Sequence, residues 1–189
     1  MRAAKKFARE TEASCIAVVQ WCCSRPFELG RKQSPTRKMA KYPIPEIKVR
    51  ISYRGAKKSE LISITSGQDA AEFFRGMMSK DGHIHFVEEF YMLCLNQAHK
   101  CIGYYRVSYG GMTGTVADLR IIASIALNCV AVKIIVAHNH PSGNVQPSDA
   151  DRQFTRKLKD GLALLDIVLL DHLIITDERY LSLQEEGYM

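Results

Sequence analysis

The stretch AVKIIVAHN, residues 131–139, constrains the fold more than any other part of this chain. It is almost wholly apolar and rich in β-branched side chains, the pattern of a strand covered on both faces of a sheet. Such a strand needs helices above and below it, and the periodicity elsewhere supplies them. TSGQDAAEFFRGMMS (65–79) has a polar start at Ser66 and apolar residues at 70, 71, 73, 74, 77 and 78, which predicts a helix. ADLRIIASIALNCV (117–130) repeats its apolar positions at helical spacing, and SDADRQFTRKLKDGLALLDI (148–167) sets Phe154, Leu158, Leu162 and Leu165 on one stripe. Between them, EIKVRISYR (46–54) alternates as a strand, HFVEEFYMLCLNQAHKCIGYYRVSYG (85–110) reads as two strands about a turn near NQAH, and the C-terminal segment from Ile167 gives a strand and a short hairpin. Alternating strands and helices predict an α/β domain with a mostly buried mixed β-sheet flanked by helices.

The central strand runs into VAHNHPSGNVQPSDAD (136–151). His138 and His140 are two apart on an extended chain and so project to the same side. Pro141, Ser142, Gly143 and Pro147 favour a compact loop that can bring the next helix, with Asp151 in its first turn, back over the strand end. Two nitrogens and one oxygen with an open fourth position form the ligand set of a catalytic zinc site. A second reading is equally open on spacing alone: Ser148 followed by Asp151 is a capping box, a helix start that requires no metal. The two readings are compatible, because Asp151 can cap with one oxygen and ligate with the other. A zinc site of the HExxH type is excluded, as is the zinc deaminase pattern, since neither HxE nor PCxxC occurs.

Charge divides the chain. Residues 1–42 carry ten Lys/Arg against three Glu, a net of +7, whereas residues 43–189 carry 16 basic and 17 acidic side chains, a net of −1. The basicity thus belongs to an N-terminal extension, expected to be disordered or one loosely docked helix over residues 3–23, and the folded domain is expected over 43–189. A basic groove for DNA on that domain is poorly supported, although the extension suits weak, salt-sensitive contact. CIAVVQWCC (15–23) is too short to span a bilayer and lacks a cleavage site, so no membrane association is expected. Six cysteines without CxxC or framework spacing read as reduced thiols of a cytoplasmic protein. Nothing in the sequence fixes an oligomeric state.

HNHPSGNVQPSDAD fits H-x-H-P-x(6)-S-x-x-D at every fixed position: His138, His140, Pro141, Ser148 and Asp151. It resembles the metal-binding signature of the JAMM/MPN metalloproteases. Together with LLDHLII (169–175), and with Arg120 opening a helix after TVADL, the chain is more closely similar to the RadC family over roughly residues 66–189. It departs from the full-length pattern in leaving no room for the family's helix-hairpin-helix region. The resemblance implies a JAMM/MPN, cytidine deaminase-like architecture with one Zn²⁺ per chain held by His138, His140 and Asp151. It implies hydrolysis of an amide or isopeptide bond in a peptide or protein substrate by a metal-activated water, with an upstream Glu as general acid/base. The RadC pattern E-x-F selects Glu88, which is preferred; the looser JAMM pattern selects Glu89. Ser148 is expected either to donate to the developing oxyanion or to serve only as the helix cap. His172 is expected in the core or behind a ligand rather than on the metal, His83, His85 and His99 at strand ends or turns, and Asn139 holding the loop. A DNA-repair-associated role, or a non-catalytic module with a structural metal, is the alternative.

Overall fold

The computed structural model of the chain describes residues 61–80, 82–110 and 117–189, together with two short strands, β1 (Ile16–Ala17) and β2 (Tyr53–Arg54). The rest of the expected 46–54 strand, the remainder of the 3–23 segment and the 42/43 domain boundary lie outside the described residues.

Helix α1 (Gly67–Met78) starts at Ser66, as its sequence predicts; the structure adds a complete capping box with Asp69, and the helix buries Ala70, Ala71, Phe73, Phe74 and Met78. A 3₁₀ turn, His83–His85, precedes β3 (Glu89–Leu95), so the first of the two expected strands begins later than at His85. Asn96 closes the β3–β4 turn by accepting from the amides of Ala98 and Lys100, and His99 in that turn adopts φ +57°. Strand β4 (Cys101–Tyr109) follows, then α2 (Leu119–Asn128), β5 (Lys133–Asn139), α3 (Asp149–Ala163), β6 (Val168–Ile175) and β7 (Tyr180–Ser182).

The seven strands lie in the order β2-β1-β4-β3-β5-β6-β7. β3 runs antiparallel to β4 and β5, β5 parallel to β6, and β6 antiparallel to β7, which makes the sheet mixed. β5 is central and buried from Ile134 to Asn139, as its composition requires. Its side chains alternate between two cores. Ile134 and Val136 join Phe90 and Met92 of β3 beneath Ile122 and Ile125 of α2 and Leu158 and Leu162 of α3. Ile135 and Ala137 join Tyr91 and Leu93 beneath Phe73, Phe74 and Met78 of α1. The result is an α/β fold with α1 on one face of the sheet and α2 and α3 on the other.

The α3 stripe ends earlier than its sequence suggests. Leu165 is 40% exposed because the helix stops at Ala163 and Asp166 turns left-handed at φ +55°. The amide of Ile167 then reaches back to the Leu162 carbonyl and that of Asp166 to Ala163, a Schellman closure built without glycine.

Candidate metal centre

Alternation along β5 sends His138 to the α2/α3 face with Ile134 and Val136. It is 1% exposed, and Phe90, its direct partner on β3, lies with its ring parallel to the imidazole at 6.0 Å between centroids. Past Asn139 the chain stays extended by one more residue, since the His140 amide still donates to the Ile175 carbonyl. The two rings therefore project together, and their Nε2 atoms approach to 2.9 Å. The chain then turns: Gly143 donates to the His140 carbonyl and, at φ +77°, adopts the left-handed conformation that glycine tolerates.

The turn delivers α3 with its first turn over the strand end. Ser148 is its N-cap and Asp151 its N3 residue, in a complete capping box. One carboxylate oxygen of Asp151, Oδ2, accepts from the Ser148 amide at 2.8 Å and from the Ser148 hydroxyl at 2.5 Å. The other, Oδ1, is thereby turned towards His138 Nε2 at 3.4 Å. Among the described residues, His138, His140 and Asp151 form a group whose candidate ligand atoms all lie within 4.8 Å of one another.

The chemistry of this donor set fits a cation. His140 Nδ1 sits 2.6 Å from the Asn144 carbonyl oxygen, which can only accept, so Nδ1 carries a proton and in the neutral ring Nε2 presents the lone pair. His138 is kept neutral: burial pulls its pKa down to about 4, with His140 adding to the effect and the Asp151 carboxylate opposing it. Its Nδ1 faces His172 Nε2 at 2.8 Å, which leaves Nε2 towards His140 and Asp151. Two imidazole nitrogens and a carboxylate oxygen thus converge where burial disfavours a proton, the arrangement that binds a divalent metal.

Of the two adjacent carboxylates, Glu89 lies within β3 and Glu88 just before it. Glu89 shares the face of Tyr91 and Leu93, opposite to His138; it is 2% exposed and accepts from Arg106 Nη1 at 2.9 Å. Glu88 is half-buried and immediately precedes β3, whose last pair with β5 is Phe90↔His138. Asn139 pins this segment from the far side, as expected of a residue that holds the loop. Its side-chain amide donates to the carbonyls of Ile84 and Val87 and its oxygen accepts from the Glu89 amide at 2.7 Å, so both neighbours of Glu88 are fixed. Gly110 donates to the Glu88 carbonyl at 2.9 Å from the end of β4.

The remaining candidates divide as follows. His172, fully buried on β6, contacts His138 from behind and reaches Thr155 Oγ1 of α3 at 2.6 Å with its Nδ1. Arg120 is bound by the α2 N-cap, Asp118, whose carboxyl the guanidinium holds down to about 2. His83 and His85 lie in the 3₁₀ turn and His99 in the β3–β4 turn. Two contributors carried no sequence signal. The Asn144 carbonyl is a backbone group, and Thr155 reads as an ordinary helix residue.

A mixed sheet between helices, with His-x-His at the end of its central strand and an Asp at the start of the next helix, defines a JAB-type domain able to hold a metal. The chain belongs to the RadC-like JAB domain family, which it matches over residues 64–188. It is 41% identical over 182 residues to a UPF0758 protein of Flavobacterium johnsoniae, covering 96% of this chain and 67% of that protein. It is 39% identical over 127 residues to a UPF0758 protein of Staphylococcus carnosus, covering 67% and 54% respectively. A third relative, from Porphyromonas gingivalis, is 45% identical over 103 residues, or 54% of this chain and 45% of that protein. The chain thus spans about half to two thirds of the length of the relatives it matches. Among the described residues no helix is long and apolar enough to cross a membrane.

Proposed function

We propose that this domain is a zinc-dependent hydrolase of the JAMM type, cleaving an amide or isopeptide bond in a peptide or protein substrate. The observation that carries the reading is the donor set: His140 Nε2, stripped of its proton by the bond from Nδ1 to the Asn144 carbonyl, faces His138 Nε2 at 2.9 Å beside Asp151 Oδ1. One Zn²⁺ held by these three residues would supply Lewis acidity and lower the pKa of water at its open position to about 7. Glu88, which strand alternation from Phe90 would turn towards the His138 face, is assigned to accept the proton of the attacking water and return it to the departing amine nitrogen. Glu89 is neutralised by Arg106 on the other face and takes no part in proton transfer.

Ser148 acts first as the clamp on Asp151. For its hydroxyl to donate to the substrate oxygen it must leave Oδ2, which still keeps the bond from the Ser148 amide. Six cysteines without CxxC or framework spacing support a reducing, cytoplasmic setting. A DNA-associated role draws only on the +7 of residues 1–42; the net −1 of residues 43–189 supports the hydrolase.

The test is metal content. Full chain purified without chelators should carry about one zinc per chain by mass spectrometry, as a single three-ligand site requires. His138→Ala should lose it while remaining folded. Wild-type protein that holds no zinc and takes none up at micromolar Zn²⁺ would end the reading.

A further inference from the structure

We infer that Thr155, whose hydroxyl meets Asp151 only at its main-chain carbonyl and reaches no ligating side-chain atom of the three candidate ligands, sets the tautomer of His138 through His172 and so makes its Nε2 available to a metal. The inference rests on the metal-centre reading above and deepens it. The chain of contacts starts from a group whose direction is fixed. The Asp151 main-chain carbonyl can only accept, and Thr155 Oγ1 lies 2.6 Å from it, so the threonine hydroxyl donates there. Having spent its proton, Thr155 Oγ1 accepts from His172 Nδ1 at 2.6 Å. The neutral His172 ring then has its lone pair on Nε2, and the only proton for the 2.8 Å contact with His138 comes from His138 Nδ1. His138 Nε2 is left bare and faces His140 and Asp151.

Burial keeps the chain unambiguous. Thr155 and His172 are 0% exposed and His138 is 1% exposed, which leaves bulk water no access to substitute for a missing partner. Phe90 fixes the rings laterally, parallel to His138 and tilted against His172 at 5.5 Å between centroids. The arrangement is self-referential: the carbonyl that orients one ligand, His138, belongs to another ligand, Asp151. Helix α3 therefore delivers the carboxylate and programs the imidazole with the same turn.

Thr155→Val keeps the shape and removes the hydroxyl. The His172 Nδ1 proton then loses its acceptor, the opposite tautomer becomes favourable, and the His138 proton moves to Nε2, where it blocks metal. Zn²⁺ affinity of full chain, measured by competition with a chromophoric chelator, should fall about 10- to 100-fold, the range for loss of an outer-shell partner. Thr155→Ser, which keeps the hydroxyl, should stay within a few-fold of wild type. Nitrogen-15 NMR of zinc-free wild-type chain at pH 8 should find the His172 proton on Nδ1, and of Thr155→Val should find it on Nε2. A His172 proton on Nε2 in wild type overturns the inference, as does a folded Thr155→Val variant that binds Zn²⁺ as tightly as wild type. The wild-type NMR result decides even if the valine variant fails to fold. Because that measurement needs no metal, a wild-type chain that binds no zinc refutes the hydrolase reading and leaves the tautomer result standing by itself.

Discussion

Glu89→Gln separates the two adjacent carboxylates without needing a known substrate. Glu89 is 2% exposed, and its Oε1 accepts a charge-assisted bond from Arg106 Nη1 at 2.9 Å. The substitution preserves shape, and the amide oxygen can still accept, so what is lost is the charge. Hydrogen bonds to charged groups contribute about 1.5–3 kcal/mol. The lower end applies here, because the Arg106 side chain is 47% exposed and water can take over its charge. The expected loss is about 1.5 kcal/mol, or roughly 3–6 °C in Tm for a domain of this size. Zinc content should be unchanged, since Glu89 faces away from His138. Glu88→Gln should also keep zinc, destabilise less than Glu89→Gln, and lower hydrolysis of any substrate found by about 10²- to 10⁴-fold, the usual contribution of a positioned base. Circular dichroism melting and metal analysis of the two variants side by side measure this. If Glu89→Gln melts like wild type and it, rather than Glu88→Gln, abolishes hydrolysis with zinc retained, the assignment of the two faces is wrong.

Three further outcomes follow from local geometry. In chelator-treated protein, folded His138 stays neutral down to about pH 4 while the unfolded chain protonates it below about 6.5, so its contribution is complete above pH 6.5 and is lost as pH falls towards 4. That amounts to about 3 kcal/mol, and urea midpoints that stay flat between pH 7 and 5 would contradict it. Val130, 79% exposed at φ +54°, occupies the left-handed position of the Schellman closure of α2; Val130→Gly should stabilise by about 1 kcal/mol in thermal unfolding, and any destabilisation would count against the strain. Asn144→Ala should leave Zn²⁺ affinity within a few-fold of wild type, because only the Asn144 carbonyl meets His140; a 100-fold loss would mean that the side chain matters.

What could be read from the sequence was what is local in it. The two-faced burial of β5, the polar helix start at Ser66, the capping box at Ser148, and the His-x-His spacing all depend on residues within a few positions of one another. The choice between Glu88 and Glu89 was not decided by local pattern, since both faces of β3 are apolar. What bears on it is the register Phe90↔His138 between strands nearly fifty residues apart, which turns Glu89 to the face opposite His138. The early end of α3 was hidden for a different reason. Asp166 takes a left-handed conformation more readily than most residues do, but it is not the glycine that ordinarily marks such an end.

The three candidate ligands share a feature that the motif alone does not express. Each is oriented by a main-chain group whose hydrogen-bonding sense cannot reverse. The Asn144 carbonyl fixes His140, the Ser148 amide holds one oxygen of Asp151, and the Asp151 carbonyl acts on His138 through Thr155 and His172. A carbonyl only accepts and an amide only donates, so the protons are driven outwards and the lone pairs inwards whatever the loop side chains are. The fold supplies these main-chain groups where they are needed, in the loop after β5 and in the first turn of α3. Metal readiness in this domain is therefore as much a consequence of where the elements end as of which side chains stand there. That is why the capping box and the ligand set, separate readings of one stretch of sequence, turn out to be the same structure.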